Sequence, residues 1–285
     1  MTEQSPAATS RTVKDSVTKD TQVCLSLAAR PSNLGTRFHN FLYEELGLDF
    51  VYKAFTTEDI EGAIRGVRAL GLRGCSVSMP FKEAVIPLLD EIEPSAAVID
   101  SVNTIVNTGG RLTGANTDYE AIATLIRENA LSPALRTVVR GAGGMAKAIV
   151  AALREHGFDD VTVLARNGTT GRALAEQYGY AWTDEEPEPG AAELIVNVTP
   201  LGMQGPDAEA LSFAQDVIEA ASVVFDVVAF PAETPLVRAA RAAGKLVISG
   251  AEVHARQAAG QFERYTGVSI TPEQIARAAA FSRAV

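Results

Sequence analysis

The segment LRTVVRGAGGMAKAIVAALREHGFDDVTVLARN, residues 135–167, decides the fold of half the chain. It contains a β-branched strand, a glycine turn, an apolar helix and a second strand, in that order. Glycines permit a tight turn and let backbone amides approach a pyrophosphate, while the start of the next helix contributes a positive dipole. A strand before the loop and a helix after it are the context that a dinucleotide-binding loop requires. The segment therefore predicts a nucleotide-binding α/β unit.

The second strand of this segment bears on the choice of nucleotide. It ends at Arg166, where an NAD-binding domain usually carries an Asp or Glu for the ribose 2′-hydroxyl. A guanidinium is planar and always charged, so it suits a 2′-phosphate. Arg140, at the end of the first strand, is expected to lie close by and to help. The pattern favours NADP over NAD, and the alternative is a surface arginine that stacks on adenine without a phosphate preference.

Strands and helices alternate on both sides of this segment. Downstream, ELIVNVTP, VVFDVVA and KLVISG are short β-branched strands separated by helices, which extends the nucleotide unit over residues 119–251. Upstream, strands are predicted at 23–29, 50–55 and 74–79, with a helix over 36–46 between the first two. This order favours a parallel sheet.

The same patterns predict an α/β protein with two domains. The polar residues 1–20 are interpreted as a flexible tail, and residues 21–118 as a first domain that ends in a hairpin-like pair of strands. The acidic loop DEEPEPG, residues 184–190, is interpreted as a solvated connection. Residues 252–285 add two helices and no strand, and we expect them to pack back on the first domain.

The bulk composition excludes several classes of protein. The 285 residues include 25 basic and 35 acidic side chains, a net charge of −10 that disfavours a nucleic-acid partner. No apolar run approaches the roughly 20 residues that span a bilayer, and the N-terminus lacks the features of a secretory signal. Two distant cysteines and three scattered histidines predict neither a disulfide nor a metal site. We expect a cytoplasmic protein that binds a small molecule.

Polar residues collect where the strands of the first domain end. Ser78 and Lys82 follow one strand, Asn103 begins the next, and Asp118 follows the last. Strand ends facing a crevice are where open α/β sheets bind ligands, and a lysine with an aspartate can handle the proton that accompanies hydride transfer. Two alternatives remain open: Lys82 is a solvated charge at a helix start, or Asp118 is the N-cap of a helix that begins at Tyr119.

With these motifs in place, the chain resembles the shikimate dehydrogenases along essentially its whole length after the tail. The matching motifs occur in the family's order and spacing: VSMPFKE, SVNTIVN, GRLTGANTDY, GAGGMAKA, NVTPLGM, FDVVAFPAETPL and SGAEVHARQAAGQFERYTG. The resemblance implies an N-terminal substrate domain and a Rossmann-type NADP domain, with the active site in the cleft between them. It also implies a hydroxylated cyclic carboxylate as substrate and a homodimer as one possible assembly.

The resemblance assigns roles to individual residues. Lys82 and Asp118 look like the family's catalytic pair, and Gly250 like the glycine whose backbone approaches the nicotinamide. The implied substrate-binding residues are Asn33, Thr36, Ser78, Asn103 and Gln257. The implied cofactor-binding residues, besides Gly250, are Gly141, Ala142, Gly143, Gly144, Met145, Ala165, Arg166, Asn197, Thr199 and Val227.

The chain departs from the family pattern at three places. Where the family has Ser-x-Ser-Pro to hold the substrate carboxylate, this chain has Asn33-Leu34-Gly35-Thr36. Ala229 stands in place of a tyrosine, and Thr170 in place of a basic residue near the nucleotide. Each buried donor lost should weaken carboxylate binding by about 1–3 kcal/mol. These departures resemble the divergent, shikimate-dehydrogenase-like branch of the family.

The expected function is NADP-dependent interconversion of shikimate and 3-dehydroshikimate, a step of the chorismate pathway to aromatic amino acids. Quinate or an amino analogue of shikimate is an alternative substrate for an altered carboxylate pocket. A nucleotide- and ligand-binding regulatory protein with little turnover is an alternative of another class. An NADP-dependent folate dehydrogenase is less favoured, because Ser78 stands where its usual tyrosine would precede Lys82 by four residues.

Overall fold

The protein consists of two α/β domains, each built on a six-stranded sheet. The computed structural model describes residues 17–284, so most of the expected tail, residues 1–20, lies outside the described part. No helix within residues 17–284 is both long enough and apolar enough to cross a membrane.

The first sheet has the strand order β2-β1-β3-β5-β6-β4. Its strands are β1 (Gln22–Ala28), β2 (Phe50–Thr56), β3 (Gly74–Val77), β4 (Glu91–Ile92), β5 (Thr104–Thr108) and β6 (Arg111–Ala115). The strand β1 pairs in parallel with both β2 and β3, as the alternating pattern predicts. The strands β5 and β6 form the expected antiparallel hairpin, turned by Gly109 and Gly110 at φ values of 60° and 91°, which favour glycine.

The helices of the first domain follow from their local sequence. They are α1 (Leu34–Glu45), α2 (Ile60–Ala69) and the short α3 (Pro94–Ala97), and α4 (Thr117–Glu128) leads into the second domain. The Asp59 carboxylate caps α2 by accepting a hydrogen bond from the amide of Gly62, at 2.7 Å.

The second sheet is parallel throughout, with the order β12-β11-β10-β7-β8-β9. Its strands are β7 (Thr137–Arg140), β8 (Val161–Leu164), β9 (Ala181–Thr183), β10 (Leu194–Asn197), β11 (Val223–Asp226) and β12 (Leu246–Ser249). Its helices are α5 (Gly144–Glu155), α6 (Gly168–Tyr178), α7 (Gln215–Ala220) and α8 (Pro235–Ala242). Neighbouring residues Ile195 and Val196 of β10 belong to different apolar cores, so both faces of the sheet are covered.

The last two helices, α9 (Gly250–Thr266) and α10 (Pro272–Arg283), pack on the first domain. Helix α10 lies on α1, and helix α9 lies on α4. Phe262 and Tyr265 of α9 and Ala278 of α10 share one buried core with Phe38 and Leu42 of α1. The first domain is therefore completed by the C-terminal end of the chain.

The structure corrects two expectations about individual elements and adds elements that the sequence did not predict. Helix α1 begins at Leu34, two residues before the expected start. The expected helix after Lys82 is only a 3₁₀ turn, Ile86–Leu88, because Pro87 lacks an amide donor and disfavours helical backbone in the residue before it. The short strand β9 was not expected from the sequence.

Candidate active site

Lys82 lies in a turn after β3 that is hydrogen-bonded to the start of β5. The amide of Val102 donates to the carbonyl oxygen of Lys82 at 2.9 Å, and the amide of Val77 donates to that of Asn103 at 2.8 Å. These two bonds place Lys82 beside Asn103. The Lys82 side chain is only 21% exposed, so the expectation of a freely solvated charge at a helix start is wrong.

Asp118 lies in the first turn of α4 and faces Lys82. The side chain of Asn116, not that of Asp118, caps this helix by accepting from the Tyr119 amide at 3.0 Å. The Asp118 carboxylate is thus available to the lysine, and Lys82 Nζ donates to Asp118 Oδ2 at 2.6 Å. The two residues are 36 positions apart in the sequence and meet, as expected, where strands end.

Asn103 is 3% exposed, and its side chain is oriented by the start of α4. Its Oδ1 accepts from the Thr117 amide at 2.8 Å and from the Thr104 hydroxyl at 2.7 Å. Within residues 17–284, its Nδ2 group has no hydrogen-bond partner. Because the oxygen is already in use, Asn103 can offer a ligand only its N–H donors.

Helix α9 contributes Gln257 and His254, which lie one turn apart on the same side of the helix. The hydroxyl of Thr117, the neighbour of Asp118, donates to Gln257 Oε1 at 3.4 Å, which leaves the Gln257 amide nitrogen as a donor. Burial lowers the pKa of His254 to about 4, although the nearby Asp118 carboxylate acts in the opposite direction. His254 is therefore neutral at pH 7, and the sequence analysis assigned it no role although it lies within one of the matching motifs.

The start of α1 holds the residues expected at the substrate carboxylate. Asn33 is exposed at the N-cap position, and its side chain makes no capping hydrogen bond. The hydroxyl of Thr36 is buried and has no partner within the described residues, so it does not face open solvent. A β-carbon added at Gly35 would lie 3.6 Å from the hydroxyl oxygen of Tyr52, an ordinary contact.

A tyrosine lies next to Gly35 and contacts a serine, a pair that the sequence did not predict. The Tyr52 hydroxyl and Ser76 Oγ are 2.6 Å apart, and Tyr52 stacks on the buried ring of His39. Ser78, two residues after Ser76, is exposed, and its amide is held by the Leu27 carbonyl at 2.9 Å. Hydroxyl groups therefore remain at this end of the site, although Gly35 has none.

The loop between β7 and α5 has the geometry of an anion site. Gly141 adopts a φ of 119°, and a β-carbon there would lie 2.7 Å from the side chain of Val198, so only glycine fits. A β-carbon at Gly143 or Gly144 would meet nothing within 4 Å, so open space lies in front of the helix. The first amides of a helix lack intrahelical partners, and with Ala142 and Met145 on either side this loop fits a pyrophosphate.

An ion pair connects this loop to the lysine turn. Glu83, the neighbour of Lys82, accepts from Lys147 Nζ in the first turn of α5 at 2.5 Å. The contact joins the two domains. The dinucleotide-type loop and the Lys82–Asp118 pair consequently lie on facing sides of one cleft.

The end of β8 offers one unpaired cation to a nucleotide. Arg166 is exposed and makes no ion pair within residues 17–284. Asn167 caps α6, and the hydroxyl of Thr170 donates to the Asn167 carbonyl at 3.3 Å. The carbonyl of the buried Ala165 accepts from the indole of Trp182 at 3.2 Å. Thr170 thus serves the helix cap and supplies no charge in place of the family's basic residue.

Arg140 already has a charged partner in the structure, which the sequence did not predict. Its guanidinium forms two hydrogen bonds with the carboxylate of Glu186, one of them Nη1 to Oε1 at 2.9 Å. Glu186 belongs to the acidic loop 184–190. That loop is therefore more than a solvated connection, because it brings a carboxylate to the end of β7.

The loop after β10 is shaped by Asn197, which is fully buried. Its Oδ1 accepts from the hydroxyl of Thr199 at 2.6 Å, and its Nδ2 donates to Asp226 Oδ1 at 3.0 Å. The Asn197 side chain thus holds this loop in place, and the cofactor contact that the resemblance implies stays a prediction. Burial raises the pKa of Asp226, which also accepts from the hydroxyl of Thr234 at 2.5 Å.

Gly250 begins α9 against the segment that follows β11. A β-carbon at Gly250 would lie 2.3 Å from both the carbonyl carbon and oxygen of Val228, and 2.5 Å from the carbonyl carbon of Val227. Glycine is therefore required for two backbones to pass this closely. Val227 is partly buried, and its amide donates to the carbonyl of Asn197 at 3.0 Å.

The fold and these residues define a class of protein: a two-domain α/β protein with a dinucleotide-binding loop and a lysine–aspartate pair facing one cleft. Residues 32–105 match the family model for the shikimate dehydrogenase substrate binding domain. The chain is 56% identical over 268 residues to a shikimate dehydrogenase-like protein of Haemophilus influenzae, covering 94% of this chain and 98% of that one.

Two further comparisons agree. The chain is 38% identical over 249 residues to an NADP⁺ shikimate dehydrogenase of Chlorobaculum tepidum, covering 80% of this chain and 84% of that one. It also superposes with a TM-score of 0.82 on the shikimate 5-dehydrogenase of Thermus thermophilus in complex with NADP(H) and shikimate. That structure is 31% identical, and the match covers 92% of this chain and 99% of the other. The chain belongs to the shikimate dehydrogenase family.

Within residues 17–284, no group of three or more histidine, cysteine, aspartate or glutamate side chains is arranged to hold a metal ion.

Proposed function

We propose that the protein is an NADP-dependent oxidoreductase that interconverts a ring alcohol and a ketone of a hydroxylated cyclic carboxylate, with shikimate and 3-dehydroshikimate as the first pair to test. The observation that carries this proposal is the partly buried Lys82–Asp118 ion pair of 2.6 Å, which lies across a cleft from a dinucleotide-type loop. A protein that only senses a ligand has no need for a proton relay at that position.

Bound NADP would supply the acceptor or donor of the hydride, held at Gly143 and Gly144. In the reducing direction, the Lys82 ammonium donates its proton to the carbonyl oxygen of the substrate. In the oxidising direction, the neutral Lys82 amine accepts the hydroxyl proton. Asp118 accepts a hydrogen bond from Lys82 Nζ at 2.6 Å and so holds the nitrogen in place.

The remaining residues of the cleft orient the substrate. Asn103 and Gln257 offer N–H donors to ring hydroxyl groups, because the side-chain oxygens of both already accept hydrogen bonds from α4. Asn33, Ser78 and the start of α1 surround the expected position of the carboxylate.

The altered carboxylate end supports a second candidate, a protein that binds nucleotide and ligand with little turnover. Gly35 and Ala229 supply no side-chain donor, whereas the hydroxyls of Tyr52 and Ser76 remain close to Gly35. The altered carboxylate end also suits quinate or an amino analogue of shikimate, because these ligands carry their polar groups in a different arrangement.

A spectrophotometric assay of NADPH formation with shikimate, quinate and amino analogues tests the proposal. Lys82→Ala should lower turnover by about 10²- to 10⁴-fold, while calorimetric binding of the substrate changes little. Lys53→Ala, which removes an exposed lysine of the same domain, is the matched control. Near-full turnover of Lys82→Ala would remove the lysine from the mechanism. If none of the substrates reacts while each still raises the unfolding temperature, the binding protein becomes the better description.

A further inference from the structure

A buried arginine lies at the nucleotide edge of the second domain. Arg140 is the last residue of β7, directly before Gly141, and its side chain is 12% exposed. The guanidinium carbon lies 4.7 Å from the ring centroid of Phe213, and Nε is buried without a hydrogen-bond partner within residues 17–284. A buried guanidinium is costly unless an anion pairs with it, so Arg140 needs an anionic partner at all times.

Glu186 is that partner in the structure, and it is far more exposed than the arginine. Both Nη groups of Arg140 donate to its carboxylate, in the two-pronged geometry that a guanidinium also forms with a phosphate. The Glu186 side chain is 66% exposed and lies in the acidic loop 184–190. The carboxylate can return to water at a smaller cost than the buried guanidinium can.

The register of the sheet places this pair next to Arg166. In β7 and β8, Arg140 lies opposite Leu164, two residues before Arg166. In β8 and β9, Leu164 lies opposite Thr183, three residues before Glu186. The carboxyl ends of parallel strands meet at one edge of the sheet, where the adenosine ribose of a dinucleotide binds. Two arginines and one carboxylate therefore share that edge.

We propose that Arg140 is a second 2′-phosphate-binding arginine, which Glu186 masks, so that Glu186 sets the preference between NADP and NAD. The inference rests on the proposed dinucleotide function. A 2′-phosphate replaces the carboxylate on the two Nη groups, and the guanidinium stays paired throughout. A nucleotide that lacks the 2′-phosphate leaves the Arg140–Glu186 pair intact. Only the nucleotide with a 2′-phosphate has to displace Glu186. The displacement weakens NADP binding and so reduces the preference for NADP over NAD.

The test uses binding rather than turnover. The dissociation constants of 2′,5′-ADP and 5′-ADP are measured by calorimetry on the full-length protein at one fixed ionic strength. Glu186→Gln should tighten 2′,5′-ADP about tenfold and change 5′-ADP less than about twofold, because it removes only the competing charge. Glu185→Gln, one position earlier in the same loop, is the matched control and should leave the ratio of the two constants unchanged.

A second variant separates masking from a general effect of charge. Adding Arg140→Lys to Glu186→Gln should abolish most of the gain for 2′,5′-ADP, because a lysine lacks the two-pronged donor set. The inference is overturned if Glu186→Gln leaves the ratio of the two dissociation constants unchanged or weakens the binding of 2′,5′-ADP. It is also overturned if the double variant, which lacks the Arg140 guanidinium, gains as much affinity for 2′,5′-ADP as Glu186→Gln does. If the wild-type protein binds neither nucleotide, the dinucleotide site itself is wrong and the inference falls with it. If the wild-type protein binds 5′-ADP but Glu186→Gln leaves the ratio of the two dissociation constants unchanged, the masking by Glu186 is refuted and the dinucleotide site is not.

Discussion

Restoring a hydroxyl at position 35 should strengthen binding of the substrate carboxylate. Gly35 lies in the first turn of α1, and a β-carbon there would be 3.6 Å from the hydroxyl oxygen and 3.7 Å from Cε1 of Tyr52. Both are ordinary van der Waals distances, so Gly35→Ser fits without displacing a neighbour. Serine also costs less than glycine in a helix, by about 0.5 kcal/mol, so the variant should fold at least as well.

The size of the gain follows from the type of hydrogen bond. A hydrogen bond to a charged group contributes about 1.5–3 kcal/mol, and each 1.4 kcal/mol is a factor of ten in affinity. The KM for shikimate should therefore fall about ten- to a hundredfold in Gly35→Ser, measured in the NADPH-forming assay. A fall in the dissociation constant, measured by calorimetry, would attribute the effect to binding.

Two controls isolate the hydroxyl. Gly35→Ala gives a similar gain in helix propensity without the donor, and shikimate methyl ester removes the negative charge of the ligand. If Gly35→Ser and Gly35→Ala have the same KM, or if the ester gains as much as the acid, the carboxylate does not lie at the start of α1 and the reasoning is refuted.

Two further predictions concern stability. His39 is fully buried, which lowers its pKa to about 3, below the roughly 6.5 of an unfolded chain. As the pH falls, the His39 imidazole is protonated in the unfolded state before it is protonated in the folded state. The free energy of unfolding therefore decreases progressively below about pH 6.5, and the loss relative to pH 7 reaches about 2 kcal/mol by pH 5. In urea unfolding, the free energy of unfolding of the wild type should fall between pH 7 and pH 5 by about 2 kcal/mol more than that of His39→Phe, which keeps the aromatic stack. Equal losses in the two proteins would contradict the lowered pKa of His39. Gly250→Ala should lower the free energy of unfolding by about 3 kcal/mol, because its β-carbon would lie 2.3 Å from the Val228 carbonyl. Gly260→Ala in the same helix, where the nearest contact of the β-carbon would be 3.3 Å, should lower the melting temperature far less. Similar melting temperatures of the two variants would show that the Val228 segment moves to make room for the β-carbon.

Local patterns predicted much of the fold and part of the site. The loop at Gly141–Gly144 was predictable because strand, glycine turn and helix are consecutive in the sequence. The meeting of Lys82 and Asp118 was predictable because both follow strands, and strand ends lie at one edge of a sheet.

Other features depend on partners that lie far apart in the chain. Arg140 and Glu186 are 46 positions apart, and nothing in either segment signals the other. The approach of Tyr52 to Ser76 depends on strand register, which composition does not reveal. The cap of α4 was not predictable, because Asn116 and Asp118 are both good capping residues and only their backbone conformation distinguishes them.

The docking of α9 and α10 on α1 has a consequence for synthesis of the chain on the ribosome. The strands β7 to β12 are contiguous in the sequence, so the second domain can fold as soon as its last strand emerges. The first domain buries Phe38 and Leu42 against Phe262 and Ala278, which are made more than two hundred residues later. The first domain to be translated is thus the last to be completed, and a chain truncated before α9 exposes the apolar face of α1.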